Sequence, residues 1–428
     1  MSHPISVSQW SQEVSKWFPQ LSKPQAVDLA SYSLGIVLAD GCGQSRVAQA
    51  LANWEGQSWQ TTRQRLREWR NEAGAKKGTH RQELEVSHCF APLLCWVLSC
   101  MPDVEQPLVL ALDASSFSDR FVVLSVSVMV RSCAIPVAWH MQPAYTKGSW
   151  KPIWLRLLEL LHEAVPAERM VLVMTDRGLY AHWLYRRIQQ YHWHPFMRIN
   201  VGAKARPEGC QRGTVFEPVS RLAPQVGSQW SGKVTCFSDK GHRLHTTLLA
   251  RWESGYKDPW IILTDLAPEQ AQAGWYGLRS WMECGFKDFK GGGWHWTWSR
   301  ITDARRMERL WLAMAVASLL VVVMGVQQEV QQPVSTLDHL PDTHIARRNA
   351  QAARQRWEAA QEATRAKGEP EPRPPVSPKR ALSCFLRGCL LLLACLSRFE
   401  ALGPLLLPME PLPVLPPLPI AGGFWGTG

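Results

Sequence analysis

The sequence predicts an α/β protein, and three observations carry that prediction. Apolar runs at 107–116, 121–130 and 133–142 have the length and continuity of buried strands. A helix-spaced segment, 149–165, leads to a fourth apolar run at 169–178, and another, 181–193, leads to a fifth strand candidate at 194–200. Strands in a row, then strands alternating with helices, describe helices packed on one sheet.

Upstream of that section, residues 1–100 read as helical. The stretch 45–70 has apolar positions at helical spacing on both sides of a polar break at Glu55-Gly56-Gln57, and Ser58 stands where the second helix would be N-capped. That second helix carries Arg63, Arg65, Arg67 and Arg70. Two helices joined by a short turn, the second one basic, resemble a helix-turn-helix. A solvated basic helix has the same pattern, so both readings stand.

Downstream, 201–265 is punctuated by Gly and Pro and alternates in "KVTCFSD", "HRLHTTLLARW" and "WIILTDL", as a β-rich insertion does. Residues 268 to about 328 read as helical again. The run 310–326 approaches the shortest length that crosses a bilayer. It follows "DARRMER" without a break, and a buried core helix is the simpler expectation. The run 382–397 is interrupted by Arg387 and is shorter still, so no membrane partner is expected. Residues 333–380 are polar, with a linker at 368–378 and a helix candidate at 346–366. The Pro/Leu-rich tail after 402 cannot be helix or central strand. It is a candidate for dimerisation or for disorder.

Lys and Arg number 47 against 36 Asp and Glu, a net charge of +11, which favours an anionic partner such as nucleic acid. Eleven cysteines, an odd number without a C-x-x-C pair, argue against a disulfide framework and for a reducing compartment. The N-terminal stretch lacks the apolar core of a signal peptide.

Three carboxylates carry the chemical signal. Asp113 and Asp176 are each expected at the end of an apolar strand. If those strands are neighbours, the two acids repel unless a hard divalent cation such as Mg²⁺ or Mn²⁺ sits between them. Taken singly, each reads more readily as a turn or capping residue than as a metal ligand. The third acid, Glu283, lies in "YGLRSWMECGFKDFKGGG". At about 100° per residue a helix there gathers Tyr276, Arg279, Glu283, Lys287 and Lys290 into an arc of roughly 80°, beside an apolar face. A surface laced by i,i+4 ion pairs would account for the charges at a few tenths of a kcal/mol per pair. It leaves the tyrosine and the three following glycines unexplained.

The spacing Tyr276-x2-Arg279-x3-Glu283-x6-Lys290 resembles the Y-R-E-K signature of DDE transposases of the insertion-sequence type 4 family. "LALDASS" and "VMTDRG" resemble the strands bearing that family's two catalytic aspartates. "HPFMRIN" and "PWIILTDL" resemble the flanking segments. The likeness covers roughly 100–326.

The resemblance implies a ribonuclease-H-like catalytic domain at 101–328 with the β-rich insertion at 201–265. It also implies an N-terminal helical DNA-end-binding domain at 1–100, with 329–428 as linker and tail. Asp113, Asp176 and Glu283 would hold two Mg²⁺ (or Mn²⁺) ions for hydrolytic nicking and strand transfer. Tyr276, Arg279, Lys287 and Lys290 would grip the transposon end. Arg198 would add a DNA contact, where an ion pair inside the domain is the alternative. Trp260 matches an aromatic that stacks on a flipped base, where a core tryptophan is the alternative. Trp294, Trp296 and Trp298 alternate as one face of an extended segment would. The basic helix with Arg63 and Arg67 would bind the terminal inverted repeats. Partners would be double-stranded DNA, as transposon ends and target, and a second copy in a synaptic dimer. The expected location is the bacterial cytoplasm, at the nucleoid. A metal-dependent nuclease without strand transfer and a non-catalytic DNA-binding relative are the alternatives.

Overall fold

The computed structural model describes residues 7–77, 82–209, 214–330 and 383–398, with 357–359, 361–362, 364, 404–415 and 417–418. The linker 368–378 and most of the helix candidate 346–366 lie outside the described residues. The described chain falls into two compact units. The first takes residues up to 173, then 281–330, and the described residues from 383 to 411; the second takes 174–280, the described residues between 357 and 364, and those from 412. The boundaries expected near 100 and 328 both fall inside the first unit.

The first unit opens with helices α1 (Val7–Trp17), α2 (Lys23–Leu38), α3 (Gln44–Glu55), α4 (Trp59–Arg70) and α5 (Phe90–Ser99). Helix α3 ends at Gly56 in the left-handed conformation, as a C-terminal glycine allows. Ser58 occupies the N-cap of α4 as expected, yet its side chain makes no capping hydrogen bond there.

Three antiparallel strands follow: β1 (Leu108–Phe117), β2 (Phe121–Val130) and β3 (Cys133–Pro143). The turn between β2 and β3 places Arg131 and Ser132 at φ 38° and 68°, the backbone a two-residue primed hairpin turn demands. Helix α6 (Lys151–His162) leads to β4 (Val171–Thr175), which lies beside β1 in the order β3-β2-β1-β4. These are the elements expected from sequence, in the expected order. One detail differs: β1 does not end at Asp113 but pairs with β2 through Ser115 and Ser116 to Phe117.

The second unit takes up the chain at the end of β4. It adds α7 (His182–Gln190), β5 (His194–Arg198), β6 (Lys204–Pro207), β7 (Glu217–Pro218), β8 (Gln229–Cys236), β9 (Leu244–Arg251) and β10 (Trp260–Thr264). Strand order is β5-β10-β9-β8-β6-β7, with Ile262 of β10 opposite Arg198 of β5. The β-rich block therefore returns to the strand from which it departs.

The segment 276–290, read from sequence as one α-helix, passes through three helical forms. A 3₁₀ helix spans Ala273–Arg279 in the second unit; α8 (Ser280–Lys287) and a π-helical turn, Asp288–Gly292, belong to the first. The turn angle changes twice, so the 100° arithmetic does not hold across it. Gly274 and Gly277 before α8, and the glycines 291–293 after it, lower the cost of leaving the α conformation.

Helix α9 (Ala304–Glu329) is, among the described residues, the one helix long and apolar enough to cross a membrane. Of its apolar window 89% is buried within the protein, as expected of a core helix. Helix α10 (Cys384–Ser397) packs along it so closely that backbones touch. A Cβ added to Gly388 would lie 1.7 Å from the carbonyl oxygen of Val321, and one on Gly325 would lie 1.9 Å from that of Cys384. The tail at 404–411 has neither helix nor strand, as its prolines require, but it is not left loose. Leu407 is buried, its N–H donates to Cys100, and Glu410 pairs with Arg131.

Candidate active site

In the first unit, one cleft of about 600 Å³ is lined by Asp113, Ala114 and Ser115 of β1, Glu283, Phe286 and Lys287 of α8, and Lys290, Gly291 and Gly292 of the π-helical turn. Asp113 and Glu283 stand 170 residues apart in sequence, and packing brings them together. Helix α8 reaches the sheet because Gly285 has no side chain: a Cβ there would stand 2.7 Å from that of Ala134 on β3. An aromatic cluster fixes the turn that follows. Phe289 packs on Trp311 at 4.7 Å, Trp311 on Trp296 at 5.1 Å, and Trp296 on Phe117, the last residue of β1, at 4.5 Å.

Asp113 is half-buried opposite Ser125, and its Oδ1 accepts the Ala114 N–H at 2.8 Å. Glu283 and Lys287 are exposed. Lys290 is half-buried; burial lowers its pKa, and the Asp113 carboxylate acts in the opposite sense. Asp288 on the same turn is not among the residues lining the cleft, and burial pushes its carboxyl up to about 7.

The second unit gathers a different set. Asp176 follows β4 directly, and its Oδ1 accepts the N–H groups of Gly178 and Leu179, each at 2.9 Å. Its Oδ2 stands 3.7 Å from Nη2 of Arg279. Tyr276 and Arg279 are buried, against the expectation that they share a solvated stripe with Glu283. Burial pushes the Tyr276 hydroxyl up to about 12 despite the nearby guanidinium groups of Arg279 and Arg198. Arg198 lies over the Tyr276 ring at 5.7 Å and donates from Nη2 to the Pro259 carbonyl at 3.2 Å. Burial lowers its pKa, although Tyr276 favours the charge. The Arg198 Nε is buried without a hydrogen-bond acceptor among the described residues. Trp260 opens β10 as expected, but it is 4% exposed and packs edge-on against Tyr256 and Tyr276, a core position.

The predicted residues thus form two groups. Asp113, Glu283, Lys287 and Lys290 share the cleft of the first unit. Asp176, Arg198, Trp260, Tyr276 and Arg279 cluster in the second. Arg63 and Arg67 are exposed on α4, with Arg63 lying over Trp59 at 5.5 Å. The π-helical turn carrying Lys290 was not foreseen, although three consecutive glycines marked the place. The tryptophans at 294, 296 and 298 form no extended strand face: Trp294 and Trp296 are buried, and Trp298 ends a 3₁₀ turn.

Two carboxylates facing an open cleft beside two ammonium groups suit a hard divalent cation that shares its coordination shell with water and phosphate oxygens. Among the described residues no group of three or more His, Cys, Asp or Glu side chains could by itself hold a metal ion. Asp113 and Glu283 are the two carboxylates that line this cleft.

No family model and no curated protein matches the chain. Among solved structures, a piggyBac transposase synaptic complex with hairpin DNA aligns over 92% of this chain and 82% of that chain, at 11% identity and a TM-score of 0.32. A likeness at that level bears on neither fold nor activity.

Proposed function

We propose that this chain is a DDE-type DNA transposase of a bacterial insertion sequence, nicking DNA at transposon ends and joining them to target DNA. The observation that carries the reading is the cleft of the first unit. There an acid on β1 and an acid on α8 face the same space as two lysines, in the sequence setting of the Y-R-E-K motif.

The lysines would attract a phosphodiester, and the carboxylates would hold charge beside it without an attacking side chain. Phosphoryl transfer needs little covalent chemistry from the protein, only positioning and balanced charge. Asp113 and Glu283 would hold Mg²⁺ or Mn²⁺, with Asp176 assigned to the same ligand set by the sequence resemblance. Such ions supply activation of the attacking oxygen and stabilisation of the leaving one. Arg198, Tyr276 and Arg279 would act on DNA as one cationic cluster, with the half-buried Arg198 nearest to solvent. Work on two ends implies a dimer, and the bacterial cytoplasm is the expected location.

The test uses purified protein, Mg²⁺ and a duplex carrying the DNA that flanks the gene. Glu283→Gln keeps duplex binding and loses nicking by at least about a hundredfold, the scale on which losing one charge-stabilising group acts. Cleavage at the wild-type rate by that variant overturns the assignment. Joined donor–target products separate a transposase from a nuclease, which yields cut ends alone.

A further inference from the structure

The first unit contains an exposed tryptophan that its packing does not use. Trp298 is 58% exposed, while Trp294 and Trp296, its neighbours in sequence, are almost wholly buried. It is held rather than loose. The Trp298 ring stacks on His295 with centroids 3.9 Å apart and planes within 8°, and His295 sits in the left-handed conformation at φ 52°. The loop that presents both is pinned on three sides. The Trp294 carbonyl accepts the Cys42 N–H at 2.7 Å, the Trp294 indole N–H donates to Ser318 at 2.8 Å, and Thr297 Oγ1 donates to the Lys290 carbonyl at 3.0 Å. Positive φ is uncommon for a residue other than glycine, and here it sets the His295 ring against that of Trp298.

The guanidinium of Arg46, on the first turn of α3, lies 5.6 Å from the Trp298 ring. Its neighbour Ser45 accepts a hydrogen bond from Arg63 Nε at 3.4 Å through its hydroxyl. The Ser45 carbonyl accepts the Trp59 indole N–H, also at 3.4 Å. Lys290, Trp298, Arg46 and Arg63 are therefore linked side by side, from the cleft to the basic helix α4. Neither Arg46 nor Arg63 pairs with a carboxylate among the described residues. Alternating cations and exposed aromatic faces are the chemistry that tracks a nucleic-acid backbone.

We infer that Arg46 and Trp298 form a DNA contact joining α4 to the cleft, with Arg46 on a phosphate and Trp298 against a sugar or an unpaired base. The contact rests on the proposed function and deepens it. It fixes the register between the sequence held by α4 and the phosphate beside Lys290.

The probe is a fluorescein-labelled DNA duplex of random sequence with a short single-stranded overhang, titrated with the full chain by anisotropy over a range of salt concentrations. Arg46→Ala reduces the slope of log affinity against log salt by about 0.9, the loss of one phosphate contact. Trp298→Ala weakens binding by roughly 5- to 100-fold, the equivalent of one stacked base, and leaves the slope unchanged. Trp298→Phe recovers most of the loss, which a folding defect would not do. Arg156→Ala, at an exposed arginine on α6, moves neither quantity. If Arg63→Ala weakens binding while Arg46→Ala and Trp298→Ala bind as wild type, this inference fails and the transposase reading stands. If the wild-type chain binds no DNA, both fall together.

Discussion

Arg279 Nη2 lies 3.7 Å from Oδ2 of Asp176, the guanidinium side chain only 10% exposed and the carboxylate 42% exposed. A buried cation is thereby set against an acid that also accepts two backbone N–H groups at the end of β4. Asp176 is a turn residue in this structure, as one reading of the sequence expected. That role does not compete with a second one, because the turn bonds go to Oδ1 and the guanidinium approaches Oδ2. Arg279→Met removes one partner of an ion pair whose carboxylate is partly solvated, and is expected to cost up to about 1 kcal/mol in urea denaturation. Arg279→Lys keeps the charge but not the planar fork, so nicking falls while duplex binding changes little. Unchanged nicking by the lysine variant would place Arg279 in folding alone.

Asp288 makes stability depend on pH. Burial pushes its carboxyl up to about 7 from the usual 3.8, with Lys287 opposing. The folded chain thus holds this proton more tightly than the unfolded chain. Its stabilising contribution is complete below about pH 4 and is lost as the pH rises through about 7. Asp288→Asn is expected to flatten that fall, an effect on the order of a few kcal/mol across the range. Melting temperatures of both proteins, measured from acid to neutral pH, decide it: parallel curves refute the assignment.

Gly388→Ala tests the crossing of α9 and α10. The new methyl would meet the Val321 carbonyl at 1.7 Å, and backbone cannot rotate aside as a side chain can. A loss of about 3 kcal/mol or more in denaturant unfolding is expected. Gly291→Ala, with open space around its Cβ, is the comparison and should cost far less. Equal losses would show that the Val321 contact does not set the cost, since helix propensity by itself favours alanine over glycine.

Trp260 separates the core from the base-stacking reading. At 4% exposure, its replacement by alanine should cost about 3–5 kcal/mol. Trp260→Phe should keep most of the stability. If it also nicks at the wild-type rate, the ring serves packing against Tyr276. A selective loss of nicking with stability retained would show that the indole meets DNA.

The elements of the α/β section were legible because buried strands and amphipathic helices write their periods into the sequence. β1 to β5, α6 and α7 appear where those periods placed them. Position within an element was less legible. Asp113 sits inside β1 rather than at its end, since strand length is set by cross-strand partners such as Val122 and Val123 on β2. The stripe from Tyr276 to Lys290 failed for a related reason. A helical wheel assumes one turn angle, and glycines at both ends let the chain pass through three.

By itself the sequence determined the order of strands and helices, the excess of positive charge, and the acids and cations set in a recognisable spacing. These are local or additive properties, fixed by residue type and separation. Tertiary structure decided which of those residues share a space. It set Glu283 beside Asp113 because Gly285 admits α8 to Ala134, and it buried Tyr276, Arg279 and Trp260 together in the second unit. It also left Trp298 exposed beside Arg46. Close packing depends on shape complementarity between segments far apart in the chain, and no period along the sequence encodes it.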